Sequence, residues 1–368
     1  MEEILYTIAL MRLMPYQSQV LNTLLEVVGS AKEVFEARNN LQDIVPEINP
    51  RLAQTISQME KHLEFAEKEM EFTRKKHIKT ILRNDEMYPA RLRECVDSPT
   101  MLFYRGTADL NSKHIVSMVG TRKATAYGKR FCESFLRELS ELCPDILIVS
   151  GLAYGIDVCS HRQSLANGMQ TIAVLAHGLD RIYPNLHRQT AIEMLSHGGL
   201  LTEYPSGSVP DRINFISRNR IVAGMSDATI VVESAERGGS LITARIASDY
   251  GRDVFAVPGR IGDVVSEGCN MLIRDSRAGL LLSAKDFMDS MGWQTQSQKD
   301  QPIQRELFVN LSPEQQLICN ALNGDEGKSM SQLAIETNLS ISRLSGLLFD
   351  MEMQGIIRQL SGGLYRML

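Results

Sequence analysis

The feature that most constrains the fold is an alternation of short apolar runs with helix-patterned segments between residues 114 and 257. The runs of strand length are "HIVSMV" (114–119), "ILIVS" (146–150), "TIAVLA" (171–176), "GLLTEY" (199–204), "ATIVVE" (228–233) and "DVFAV" (253–257). Their continuous apolar character indicates strands that are covered on both faces, and the alternation is typical of βαβ units. The sequence therefore predicts an α/β fold with a doubly wound parallel sheet, to which "IKTILR" and "MLFYRG" upstream add strands at one edge.

The flanking segments predict two smaller domains. Residues 1–75 have apolar residues at helical spacing and predict a helical domain, which leaves 76–292 for the sheet domain. Residues 293–311 are polar and rich in glutamine, as is typical of a linker. Residues 312–368 predict three helices and a hairpin that turns at Gly362-Gly363, which is the order of a winged helix-turn-helix.

Composition limits the partners and the compartment. The 368-residue chain has a formal charge of −5, so a polyanion would have to meet locally concentrated cations. Within residues 113–290, 15 of the 19 basic residues are arginine, which suits bidentate phosphate contacts in a focused groove.

The six cysteines form no C-x-x-C pair, and we expect reduced thiols. With neither a signal-type segment nor a membrane-spanning apolar run, the expected location is the cytoplasm.

Glycine-rich turns follow three of the predicted strands. They are "VGTRKATAYG" (119–128), "SGLAYGID" (150–157) and "ESAERGGSLITARIA" (233–247), and ligand sites of parallel sheets lie at these carboxyl ends. In the third turn Ser240 is the predicted N-cap of a helix whose first amides would bind an anion. Glycine also serves tight turns for purely steric reasons, but the three turns together with Arg122 predict a row of phosphate sites. One such site suits a nucleotide, and several in a row suit a nucleic-acid strand.

Nucleotide and catalytic signatures are absent from the sequence. "NGDEGKS" (323–329) lacks the first glycine of a P-loop, because Leu322 stands there, and no G-x-G-x-x-G follows the first strand. Asp157 and His161 lie at i, i+4 and could be an acid–base couple or two metal ligands, but a structural hydrogen bond between them is the preferred interpretation. We therefore predict no catalytic residues, no metal site and no cofactor.

The stretch "RINFISRNRI" (212–221) concentrates three arginines and one aromatic ring ahead of a predicted strand. On a helix, Arg212 and Phe215 share a side, so a phosphate can meet the cation while an unpaired base stacks on the ring. A core position for Phe215 remains the alternative. Arg218 and Arg220 point to nearly opposite sides, so at most one of them joins Arg212 and the other braces a neighbouring loop.

Taken in order, the motifs resemble the DNA-processing protein A family, also called Smf. They are "VGTRKATAYGKR", "SGLAYGIDVCSHRQSL", "GLDRIYPNLHR", "TEYPSG", "FISRNRIVAGMS" and "RGGSLITARIASDYGRDVFAVPG", within residues 80–290. The resemblance implies an extended Rossmann-like domain between a helical SAM-like domain and a winged helix. It further implies a homodimer that binds and protects single-stranded DNA without sequence preference and loads the RecA recombinase in natural transformation. The DNA contacts that it implies are Gly120, Thr121, Arg122, Arg212, Phe215, Arg218, Asn219, Arg220, Gly239, Ser240 and Thr243.

Two alternatives to this function remain open at the level of sequence. A nucleotide or nucleoside-phosphate hydrolase on the same sheet would need an acid or base, for which Asp157 and Glu203 are candidates. A regulator of duplex DNA would use the winged helix. However, residues 312–368 carry four basic residues against six acidic ones, so we predict that this domain contacts protein or has an accessory role.

Overall fold

The structure is a computed structural model that describes residues 2–293, 311–322, 327–360 and 364–367. It divides into two compact units, residues 1–299 and residues 300–368. The larger unit is built on a nine-stranded sheet. Its strands are β1 (Lys79–Leu82), β2 (Met101–Gly106), β3 (Ile115–Val119), β4 (Leu147–Ser150), β5 (Thr171–Val174), β6 (Gly198–Thr202), β7 (Ala228–Val231), β8 (Asp253–Ala256) and β9 (Gly279–Leu280).

The sheet order is β1-β2-β6-β5-β4-β3-β7-β8-β9. The strands from β6 to β9 pair in parallel, while β1 and β2 form an antiparallel edge next to β6. All six predicted internal strands are present, and the two predicted edge strands are β1 and β2. The predicted mostly parallel α/β sheet is confirmed.

The helices of the larger unit fall into an N-terminal group and a group that connects the strands. The first is α1 (Glu2–Leu13), α2 (Ser18–Val28), α3 (Ala31–Glu36), α4 (Leu41–Ile44), α5 (Pro50–Ile56) and α6 (Leu63–Lys75). The second is α7 (Ala90–Arg93), α8 (Ala126–Leu142), α9 (Ile156–Ala166), α10 (Arg188–Met194), α11 (Arg212–Gly224), α12 (Gly239–Asp249), α13 (Glu267–Arg274) and α14 (Ala284–Met291).

Both faces of the sheet are buried, as the continuous apolar runs require. Along β3, Ile115 and Val119 face a core that includes residues of α11, α12 and α13. The alternate residues Val116 and Met118 face a second core with residues of α8 and α14. Successive strand residues point to opposite faces, so a strand between two helical layers is apolar at every position.

The N-terminal helices share a core with the antiparallel edge of the sheet. Met101 and Phe103 of β2 pack among buried residues of these helices, while Leu102 and Tyr104 of the same strand face the core on the other side. Residues 1–75 and the sheet domain thus belong to one compact unit. The domain boundary after residue 75 stays a prediction.

The smaller unit has the order of a winged helix, as predicted. It consists of α15 (Pro313–Ala321), β10 (Lys328–Ser329), α16 (Met330–Thr337), α17 (Ile341–Met353), β11 (Ile357–Leu360) and β12 (Leu364–Met367), with the strands in the order β10-β12-β11. The core of this unit is formed by residues such as Leu333, Leu344, Leu348 and Ile357. Residues 294–310 of the predicted linker (293–311) and the predicted turn at Gly362-Gly363 lie outside the described residues.

The cysteines and the lengths of the helices bear on two expectations, reduced thiols and the lack of a membrane-spanning segment. All six cysteines have free thiols, and four of them are buried. Within the described ranges, none of the helices has the length and apolar character needed to cross a bilayer.

Candidate nucleic-acid interface

The order of the strands reverses next to β3, and the candidate binding site lies at this reversal. The chain runs from β3 through β4 and β5 to β6 on one side, and then returns to place β7 on the other side of β3. The connection after β3 leads to α8 on one face, whereas the connection after β7 leads to α12 on the opposite face. A crevice forms between two connections that diverge in this way, and doubly wound sheets bind ligands there.

A groove of about 680 Å³ occupies this crevice. It is lined by the loop after β3, the loop after β4, the first turns of α11 and the loop that leads into α12. Among its lining residues are Gly120, Thr121, Arg122, Arg212, Phe215, Arg218, Asn219, Gly239, Ser240 and Thr243. All the predicted contacts except Arg220 therefore line one groove, which is called the strand-end groove below.

A half-buried ring and two exposed arginines are the most prominent side chains of this groove. The guanidinium carbon of Arg122 lies 5.0 Å from the centroid of the Phe215 ring. Arg212 is exposed one helical turn before Phe215, and Tyr183 supports the ring with its own centroid 5.9 Å away. Phe215 thus stands at the wall of the groove and not in a core. The arginine over its ring comes from the β3 loop, a pairing that the sequence did not indicate.

The loop that carries Arg122 is held by Glu233, which lies two residues after the end of β7. The backbone amide of Thr121 donates to the Glu233 carbonyl at 2.7 Å, and the Thr125 amide donates to its carboxylate at 2.9 Å. The Thr125 hydroxyl donates to the same carboxylate. Glu233 is fully buried, so this clamp fixes the position of Arg122 across the crevice. The role of Glu233 was missed, because only the strand order places β7 beside β3.

The first turn of α12 presents backbone amides to the groove. The helix begins at Gly239 with Gly238 as its N-cap, so the prediction that Ser240 caps the helix is wrong. The Ser240 hydroxyl instead donates to the hydroxyl of Ser234 at 2.8 Å. A Cβ atom at Gly239 would meet no atom within 4 Å, which leaves its backbone open to an anion.

Arg218 lies at the floor of the groove and is almost completely buried. One of its terminal nitrogens donates to the Val174 carbonyl at 2.5 Å, while its Nε has no partner among the described residues. Burial raises the pKa of Asp157, and the nearby Arg218 opposes that rise. Gly151 leaves room for this side chain, because a Cβ atom at this position would lie 1.9 Å from the Arg218 guanidinium and would displace it.

Arg220 lies on the other side of α11, outside the groove. Its guanidinium donates to the carboxylate of Glu203 at 2.5 Å, and both side chains are at least nine-tenths buried. Burial raises the pKa of Glu203, and the charge of Arg220 opposes the rise. Arg218 therefore lines the groove, whereas Arg220 forms an ion pair outside it, and the predicted DNA contact at Arg220 stays a prediction that the position of its side chain does not support. As predicted from their spacing on a helix, Arg218 and Arg220 point to different sides of α11, and one of the two faces the groove.

The N-terminal helices support the segment that carries Arg212 and Phe215. Asp211 caps α11 by accepting from the Asn214 amide at 2.8 Å, and the Tyr16 hydroxyl donates to the Asn214 side chain at 2.8 Å. Glu69 of α6 is buried and accepts from the Ser206 amide at 2.8 Å. These contacts connect the N-terminal region to the start of α11 and to the loop after β6, and the sequence did not predict them.

Asp157 and His161 do not form the predicted pair. Asp157 accepts from the Ala153 amide at 3.4 Å, whereas Nδ1 of His161 lies 2.7 Å from the hydroxyl of Thr171. That hydroxyl donates its hydrogen to the Ile148 carbonyl, so Nδ1 must be the donor to Thr171. Across the described residues no group of three His, Cys, Asp or Glu side chains is arranged to hold a metal ion.

His161 makes the fold sensitive to acid. Burial lowers the pKa of His161 to about 3. As the pH falls, the unfolded chain therefore binds the proton first, and stability is lost from about pH 6.5 down to about pH 3 at roughly 1.4 kcal/mol per pH unit. Burial also raises the pKa of Asp157 and Glu203, so the His161 contribution is the difference in slope between the parent protein and His161→Gln, measured by urea unfolding followed by the fluorescence of Trp293 in the larger unit. His161→Gln should have a clearly shallower slope, and an equal slope in both proteins would contradict the assignment.

Two further charged residues of the groove were not predicted. Arg237 is exposed in the loop before α12, and Asp211 adds a carboxylate at the opposite rim. Four arginines and two aspartates thus line the groove. The lining of the groove is therefore positively charged, although the chain as a whole is acidic. Such a local concentration of cations is expected for a site that binds a polyanion.

Comparisons with known proteins agree with this geometry. Residues 79–292 match the family model for DNA recombination-mediator protein A, and residues 305–363 match the model for the DprA winged helix domain. The DNA processing protein DprA of Streptococcus pneumoniae is 41% identical over 204 residues, which cover 55% of this chain and 71% of the relative.

Two solved structures have similar folds. The X-ray structure of DNA processing protein A from Streptococcus pneumoniae superposes with a TM-score of 0.67 at 32% identity, covering 77% of this chain and 97% of that one. DNA processing protein A from Helicobacter pylori, whose structure describes a single-stranded DNA binding mode, gives a TM-score of 0.53 at 29% identity. That match covers 58% of this chain and 95% of the other.

Proposed function

The chain belongs to the DNA recombination-mediator protein A family, and we propose that it binds single-stranded DNA in the strand-end groove without sequence preference. Phosphates would lie against Arg122, Arg212 and the first amides of α12, while bases lean on Phe215. Single-stranded DNA suits this arrangement because phosphate contacts carry no sequence information and every base has a face that can stack. The relative from Helicobacter pylori, described for single-stranded DNA binding, supports the same ligand class.

The observation that carries the proposal is the placement of Arg122 over the half-buried ring of Phe215. This pair is formed across the crevice by two elements from different parts of the chain, the β3 loop and α11. A guanidinium over an aromatic ring stabilises the pair, and the remaining exposed part of the ring can accept a base. A groove for a single nucleotide does not need a row of cations that extends from Arg122 to Arg237.

A salt titration of oligothymidylate binding tests this function. For three or four phosphate contacts, the logarithm of the affinity should fall against the logarithm of the salt concentration with a slope of about −2 to −3. Unlabelled duplex of the same length should compete poorly with the labelled single strand. A flat salt response, or preferential binding of the duplex, would contradict the proposal.

We further propose that the protein acts as a homodimer through the sheet domain and delivers its DNA to the RecA recombinase during natural transformation. The family resemblance supports both proposals. In addition, Leu280 of the terminal strand β9 and the nearby Leu282 are 46% and 66% exposed, so this edge of the sheet offers apolar surface to a second copy. Light scattering of the purified chain and a RecA filament assay on single-stranded DNA would test the two proposals separately.

The winged helix is proposed to contact protein instead of duplex DNA. Arg343 of α17 pairs with Glu314, and Lys328 pairs with Glu336, so two of the four basic side chains of residues 312–368 form ion pairs. Phe349 and Met353 lie one turn apart on the same helix and are 64% and 74% exposed. An apolar helix surface without free cations is suited to a protein partner.

Two observations weigh against the hydrolase alternative. Glu203 pairs with Arg220 outside the groove, and Asp157, which lines the groove, is almost completely buried beside Arg218. We therefore propose a binding function without catalysis. The free thiols of all six cysteines fit a reducing compartment, which supports the cytoplasm as the site of action.

A further inference from the structure

A second cleft lies between α8 and α9 and begins where the strand-end groove ends. Its volume is about 430 Å³, and it is called the α8–α9 cleft below. Among the described residues, four cations and one carboxylate line it, namely Arg122, Lys123, Lys129, Arg162 and Glu133. Lys123, Lys129 and Arg162 do not line the strand-end groove and have no part in the DNA binding proposed there.

These cations are exposed and are not neutralised by the protein. Within residues 2–293, none of the four has a carboxylate oxygen within 4 Å, whereas other exposed cations of this unit do, such as Lys75 with Glu71 at 2.7 Å. Arg162 makes one hydrogen bond, from Nε to the hydroxyl of Thr190 at 3.1 Å. Like charges that converge on one cleft repel each other, so an anionic ligand would be stabilised there.

An aromatic ring stands at the cleft on a fixed support. Tyr154 is 43% exposed, and its ring meets the ring of His187 edge-on with a centroid distance of 5.0 Å. His187 is buried and held through Nδ1, which lies 2.8 Å from the Leu152 carbonyl. A ring that is supported at its edge and exposed on the solvent side resembles the stacking platforms of proteins that bind single strands.

The groove and the cleft are continuous through Arg122, which lines both. Gly155 makes this continuity possible, because its φ of +81° and its missing Cβ let the α9 loop lie against the β3 loop. A Cβ atom at Gly155 would be 2.1 Å from the Thr121 carbonyl oxygen. A strand that leaves the groove over Arg122 therefore meets the cations of the cleft next.

We infer that the α8–α9 cleft binds the continuation of the same DNA strand, as a second phosphate-binding segment with Tyr154 as its stacking ring. This inference rests on the proposed function of the groove. It requires that Lys129 on α8 and Arg162 on α9 hold phosphates from the two walls of the cleft. A short oligonucleotide fills the groove alone, and only a longer one reaches the cleft.

The test compares oligothymidylates of about 6 and about 20 nucleotides. In the full chain, Lys129→Glu combined with Arg162→Glu should weaken binding of the long strand at least about tenfold and leave the short strand unchanged. The salt slope for the long strand should become shallower by about 1.4, since each phosphate contact contributes about 0.7. Arg137→Glu is the matched control, because Arg137 is an exposed cation of the same helix α8 outside both sites.

The outcomes separate this inference from the proposed function. Suppose that the double variant binds the long strand like the parent protein, while Arg122→Glu binds neither strand. DNA binding in the groove is then supported, and DNA binding in the cleft is overturned. If Arg122→Glu leaves both affinities unchanged, the DNA does not bind in the strand-end groove, and the inference about the α8–α9 cleft is overturned as well. Tyr154→Ser should weaken only the long strand and Tyr154→Phe should not, which distinguishes stacking in the cleft from a loss of charge.

Discussion

Replacing Arg122 by glutamate is expected to reduce the affinity for single-stranded DNA by at least about 100-fold. The change removes one phosphate contact, repels the neighbouring phosphate and removes the guanidinium from the Phe215 ring, 5.0 Å away. Stacking of a base is worth roughly 1–3 kcal/mol by itself, so loss of the ordered ring adds to the loss of charge. Fluorescence anisotropy with a labelled oligothymidylate measures the effect.

The fold should tolerate this substitution. Arg122 is exposed, and the loop around it is held through Thr121 and Thr125 on Glu233, not through the arginine side chain. The free energy of unfolding should therefore stay within about 0.5 kcal/mol of the parent value. Arg122→Lys retains the charge without the planar guanidinium and should lose affinity to an intermediate degree. Parent-like binding by Arg122→Glu would place the DNA elsewhere.

The sequence was sufficient for the sheet and for most of the groove because both depend on local patterns. Continuous apolar runs identify strands that are buried on both faces, and parallel strands bring the residues that follow them to one edge. Gly120, Arg122 and Gly239 could therefore be assigned to one rim before the strand order was known. Arg212 and Phe215 could be paired because helical spacing places both on one side.

The remaining parts of the site depend on which strands are neighbours, and sequence patterns do not contain that information. Glu233 holds the β3 loop only because β7 returns to the other side of β3. Arg122 meets Phe215 across the crevice, although the two residues belong to separate βαβ units. The Tyr16 and Glu69 contacts join residues that are far apart in the sequence, Asn214 and Ser206. Helix periodicity also left open which of Arg218 and Arg220 would face the groove.

Replacing Arg220 should have the opposite effects to replacing Arg122. It should lower the free energy of unfolding and leave the affinity for single-stranded DNA unchanged. Its guanidinium and the Glu203 carboxylate form a buried pair with a distance of 2.5 Å, close to the hydroxyl of Ser18 in the N-terminal helical layer. Arg220→Met removes one partner and leaves a buried carboxylate that must take up a proton or remain unpaired. The expected cost is about 3–5 kcal/mol of the free energy of unfolding.

Urea unfolding monitored by Trp293 measures this cost, since the chain has one tryptophan and it packs against a core of the larger unit. Because replacing both members of a buried pair is often close to neutral, Arg220→Met combined with Glu203→Gln should recover a large part of the loss. Under conditions in which the single variant is folded, it should bind oligothymidylate within about twofold of the parent, as expected for a side chain outside the phosphate contacts. A variant that is stable but no longer binds DNA would show instead that Arg220 contacts the strand, and the internal ion pair would then not be its main role.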